Sequence, residues 1–70
     1  MTAKKLGEIV RELREARGLS QAQLAELAQI ALSYLVVIES AQPGNPPRMI
    51  LQRLAKALGV PVKRLQEPES

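Results

Sequence analysis

An all-α fold, a five-helix bundle in one domain over residues 1–70, is what this sequence predicts, and three observations carry the prediction. Apolar residues recur at helical spacing in successive segments. The 46% hydrophobic content is built from Leu and Ala with one aromatic, Tyr34, where a β-rich chain would lean on aromatic and β-branched residues. Gly, Pro and Ser stand where helices start and stop. The ordered core is expected over about residues 3–66.

From Ala3 to Arg17, Leu6, Ile9, Val10 and Leu13 form one helical face, and Gly18 follows where a left-handed residue ends a helix. Arg14 and Arg17 suit the negative end of that helix dipole. Ser20-Gln21-Ala22-Gln23 has the form of a capping box and opens a second helix through Leu24, Ala25, Leu27 and Ala28. Gln29 to Ala31 reads as a tight turn. Leu32 to Ser40 contains the apolar run Tyr34-Leu35-Val36-Val37-Ile38, which on its own fits a buried strand as well as a helix. No partner strand is available elsewhere, and an isolated strand is unstable, so a third helix is preferred. Ala41 to Pro47, with Pro43, Gly44, Asn45, Pro46 and Pro47, is a loop. Pro47 suits the first turn of a fourth helix whose Ile50, Leu51, Leu54, Ala55 and Leu58 make a stripe ending at Gly59. Pro61 opens a last short helix with Val62 and Leu65, and Pro68 closes the ordered part.

The chain has no Cys and no His, which removes disulfides, the usual zinc sites, thiol nucleophiles and imidazole chemistry, and no cofactor is implied. Glu8, Glu12 and Glu15 lie on an exposed helix face, interleaved with Lys4, Lys5, Arg11 and Arg17 as ion pairs. No nucleophile has a base beside it, so an enzyme is not expected. Ten Lys and Arg against seven acidic residues give +3 and a pI near 9.8, a mild attraction for polyanions. No apolar run reaches the roughly 18 residues of a membrane span, and a cytoplasmic location is expected.

Two runs, Leu19-Ser20-Gln21-x-x-Leu24-Ala25 after a basic amphipathic helix and Leu54-Ala55-Lys56-Ala57-Leu58-Gly59-Val60 near the end, resemble the helix-turn-helix domains of lambda-type repressors and Cro proteins. The resemblance covers about residues 5–66. It implies a second helix lying across a phosphate backbone and a third entering the major groove. It also implies that Ser20 and Gln21 hold a phosphate at the start of the second helix. A plain helix-start role for Gln21 is equally open. Arg14 and Glu39 match a family pair that clasps the first helix to the end of the third. Leu24, Leu27, Leu35, Ile38, Leu51, Leu54 and Leu58 match the family core.

With Leu35 and Ile38 inward, helical spacing turns Leu32, Ser33, Val36, Val37 and Ser40 outward, where the family usually carries polar base-reading residues. Gln29 stands where the family turn commonly has Gly, and Ala41 where the third helix commonly ends on Gly. The loop Gln42-Pro43-Gly44-Asn45 lacks the usual basic contacts. Such changes on one face point to a surface altered by divergence or by engineering. The bland reading is that Leu32, Val36 and Val37 are core, covered by the Pro-rich loop or by a homodimer mate. Tyr34 either packs at the rim or anchors an interface.

Two functional readings follow. In the first, the third helix presents Ala31, Leu32, Ser33, Tyr34, Val36, Val37 and Ser40 to an apolar groove on a protein partner. In the second, the protein is a sequence-specific regulator that binds double-stranded DNA as a dimer through Ser20, Gln21, Leu32, Ser33 and Val37, with Leu or Val touching thymine methyls.

Overall fold

The stripe Leu6, Ile9, Val10 and Leu13 folds into helix α1 (Leu6–Ala16), with Val10 fully buried and the other three packed against the core. The computed structural model describes residues 6–40 and 46–66. Four more helices complete it: α2 (Gln21–Ala28), α3 (Leu32–Glu39), α4 (Arg48–Leu58) and α5 (Val62–Gln66). No strand occurs among the described residues, and the ambiguous run Tyr34–Ile38 is helical. Residues expected to start the first helix (Ala3, Lys4, Lys5), the loop residues Ala41 to Asn45, and Pro68 lie outside the described residues.

Three helices end in the same way, on a left-handed residue whose successor's amide reaches back over the last turn. After Gly18 (φ 71°), the Leu19 amide donates to the Arg14 carbonyl at 3.1 Å. After Gln29 (φ 59°), the Ile30 amide donates to Ala25 at 3.0 Å, and after Gly59 (φ 74°) the Val60 amide donates to Ala55 at 3.0 Å. This pairing satisfies carbonyls that a helix end otherwise orphans. Only Gln29 carries a side chain at such a position.

α2 packs on α3 and α4, α1 packs on α3, and α5 closes the bundle against α4 and α1. Leu24, Leu35, Leu54, Leu58 and Val10 form its fully buried centre. Where α1 crosses the end of α3 the backbones come close. A Cβ on Gly7 would run into the carbonyl oxygen of Ile38 and lie 3.1 Å from the Cα of Glu39.

Two sequence expectations are corrected. Leu27, assigned to the core, is 58% exposed. α2 buries Leu24, Ala25 and Ala28, and at about 100° per residue Leu27 falls outside the arc these define. Pro47, expected within the first turn of the fourth helix, instead precedes it as the cap, its carbonyl accepting from Ile50 and Leu51.

Candidate nucleic-acid interface

The turn between α2 and α3 is the three residues Gln29, Ile30 and Ala31, across which the chain bends by 115°. Two short helices at such an angle, joined so tightly, make a helix-turn-helix. The turn is held from α4, where Arg53 donates from Nη1 to the Gln29 carbonyl at 3.2 Å.

The start of α2 is built as its sequence requires. Ser20 Oγ accepts from the Gln23 amide at 3.0 Å, and Gln23 Oε1 accepts from the Ser20 amide at 2.8 Å. This reciprocal box occupies the amides of Ser20 and Gln23 and leaves those of Gln21 and Ala22 to the positive end of the helix.

Gln21 takes a position that neither sequence reading foresaw. Its Nε2 donates to Glu39 Oε1 at 3.1 Å, joining the first residue of α2 to the last residue of α3. Arg14 completes the knot from α1. Its Nε and Nη2 donate to the two Glu39 carboxylate oxygens at 2.8 and 3.0 Å, and its Nη1 donates to the Leu19 carbonyl at 2.8 Å. The two charged side chains are 11% and 4% exposed. Hydrogen bonding to Glu39 raises the Arg14 pKa above its ordinary value, against the opposing effect of burial, so the guanidinium stays charged at any ordinary pH. The family-like clasp is therefore present, and Gln21 belongs to it. Gln21 lies on the same arc as Leu24, Ala25 and Ala28, and this periodicity was the available signal.

α3 turns Leu35, Ile38 and Glu39 inward. Ala31, its cap, is exposed, as are Leu32 (46%), Ser33, Val36 (42%), Val37 (50%) and Ser40. These residues form one surface, and the reading of Leu32, Val36 and Val37 as core does not hold within the chain. Tyr34 differs from the others: it is half-buried against the core. Ser40 directs its hydroxyl back to the Val37 carbonyl at 2.8 Å, so Ser33 is the outward side chain left to offer a hydroxyl.

Charge is unevenly distributed. Residues 46–66 carry Arg48, Arg53, Lys56, Lys63 and Arg64 with no acidic residue among them. Leu27, Ala28, Gln29, Arg53, Lys56 and Ala57 line an open groove between α2 and α4. Among the described residues there is no group of acidic side chains able to hold a metal ion, and no single helix is long and apolar enough to cross a membrane.

Residues 5–67 match the family of the helix-turn-helix domain. The chain is 43% identical over 63 residues to the HTH-type transcriptional regulator DdrOP3 of Deinococcus deserti, covering 90% of this chain and 48% of that protein. Its fold superposes on the restriction-modification controller protein C.AhdI from Aeromonas hydrophila with a TM-score of 0.78 at 37% identity, covering 86% of this chain and 89% of that one. SinR, the master regulator for biofilm formation, solved in complex with DNA, gives a TM-score of 0.84 at 34% identity, covering 89% and 98%. SinR is a protein of Bacillus subtilis. The chain spans about half the length of the curated relatives it matches.

These relatives overturn the first functional reading, in which Ala31, Leu32, Ser33, Tyr34, Val36, Val37 and Ser40 met an apolar groove on a protein. The matched proteins are transcriptional regulators and repressors. The apolar side chains suggested a protein partner because they offer no hydrogen bonds, but the fold around them is one shared with transcriptional regulators. By its sequence match and by its fold, the chain belongs to the helix-turn-helix family of lambda-repressor and Cro-like domains.

Proposed function

We propose that this protein is a sequence-specific DNA-binding transcriptional regulator. The observation that carries the reading is the α2–turn–α3 unit, bent by 115° and locked by Arg14, Gln21 and Glu39, in a chain whose relatives are regulators. SinR, with the same fold, has been solved in complex with DNA. In this reading the start of α2, with Ser20 and Gln21, meets a phosphate, while Leu32, Ser33 and Val37 enter the major groove. A helix of eight residues reaches few base pairs, so specificity calls for two copies on two half-sites. Gln21 has a second Nε2 hydrogen beyond the one given to Glu39, and it is this one that donates to the phosphate. A cytoplasmic location and the absence of catalysis go with this role.

The test is an electrophoretic mobility-shift titration of the chain on a random-sequence duplex pool at 50 and 200 mM salt. Phosphate-driven binding weakens steeply between the two concentrations, by about a thousandfold when six or more phosphates are contacted. Affinity indifferent to salt, or no shifted duplex, overturns the reading.

A further inference from the structure

α3 exposes an unusual face for reading base edges, and that face restricts what it can read. Leu32, Val36 and Val37 are each 42–50% exposed, and among the described residues of α3 and its caps the exposed polar side chains are those of Ser33 and Ser40, the latter bonded to the Val37 carbonyl. Guanine offers the groove two acceptors, cytosine a donor, and adenine one of each. An aliphatic side chain pressed against any of these strips its water and returns no hydrogen bond. The C5 methyl of thymine is the one apolar feature in the major groove, and burying it is favourable. A serine hydroxyl both donates and accepts, so Ser33 discriminates weakly among the bases.

We infer that this domain reads its operator chiefly through thymine methyl groups, with Leu32, Val36 and Val37 as the specificity-determining residues. The inference rests on the DNA-binding reading above and adds to it a class of operator. Leu32 and Val36 are four residues apart, about 6 Å along the helix axis, which spans nearly two base-pair steps of about 3.4 Å. The half-site accordingly carries thymines at two or three neighbouring base pairs, excludes G·C there, and carries little hydrogen-bond information.

The experiment selects duplexes from a random pool with the whole chain and then measures the enriched duplex against copies in which single thymines are replaced by deoxyuridine. That replacement removes the methyl and changes no hydrogen-bonding group. Each contacted thymine should lose about fourfold in affinity, the effect of one buried methyl-sized group. Val36→Ala and Val37→Ala, at exposed positions where the fold tolerates truncation, should bind the thymine and uracil duplexes alike at one of those base pairs. This coupling between protein methyl and DNA methyl is the signature of direct contact. Enrichment of a duplex whose affinity is the same with uracil at every position overturns the inference and leaves the DNA-binding reading standing. Enrichment of G·C-rich half-sites does the same. Failure to enrich any duplex removes the DNA-binding reading itself, and the operator class with it.

Discussion

Glu39 ties three helices together through one carboxylate: Oε2 accepts from Arg14 Nε at 2.8 Å, while Oε1 accepts from Arg14 Nη2 and from Gln21 Nε2. The pair Arg14–Glu39 bridges 25 residues of chain and fixes the end of α3 to both α1 and the start of α2. Breaking it from one side leaves a charge buried without its partner. Glu39→Ala should therefore cost about 3 kcal/mol or more, and Arg14→Ala a similar amount. The double change Arg14→Met with Glu39→Leu, which leaves no orphaned charge, should recover much of the loss. Urea unfolding midpoints of the three variants check this, and equal destabilisation of all three would contradict it.

Gln29 holds a left-handed backbone, φ 59° and ψ 48°, at the end of α2. A side chain there costs about 1–2 kcal/mol, part of which glycine forgoes through its looser unfolded chain. Gln29→Gly should stabilise the domain by about 1 kcal/mol, which for a domain this size raises Tm by roughly 4–8 °C. A calorimetric scan showing a lower Tm would mean that the glutamine side chain is compensated by contacts of its own.

Gly7 and Gly18 should answer differently to alanine. At Gly7 a methyl has no room, because it meets the backbone of Ile38 and Glu39, which cannot swing aside as a flexible side chain would. Gly7→Ala should cost about 1–3 kcal/mol by overpacking, and it should also disturb the Arg14–Glu39 clasp. At Gly18 the space is open and only the φ of 71° resists, so the cost should be about 1–2 kcal/mol. Amide hydrogen exchange separates the two: faster exchange in α3 is expected for Gly7→Ala and not for Gly18→Ala.

Leu24 and Leu27 stand three residues apart on α2 and look equivalent in sequence, yet one is fully buried and the other 58% exposed. Leu24→Ala should cost about 2–5 kcal/mol. Leu27→Ala should stay within about 0.5 kcal/mol of the parent, as surface changes usually do. Thermal unfolding of the pair measures the contrast directly, and comparable losses would place Leu27 back in the core.

The helices and most of their ends are written in local spacing. Apolar spacing places α1 and α4, the Ser20–Gln23 box starts α2, and Gly18 and Gly59 sit where left-handed ends are needed, because each is a local relation between residues a few positions apart. The outward set Leu32, Ser33, Val36, Val37 and Ser40 was equally legible once Leu35 and Ile38 were placed inside, since the period of a helix fixes the rest. What that surface serves was not legible: exposed apolar residues suit a protein groove or a thymine methyl by composition alone, and kinship with transcriptional regulators tells against the first. The packing of the helices sets which flank of α2 is covered, exposing Leu27, which carboxylate Gln21 meets, and why Gly7 must be bare. Those three depend on where one helix meets another, and a helical pattern specifies which side of a segment is apolar without specifying how closely, or at what angle, its neighbour arrives.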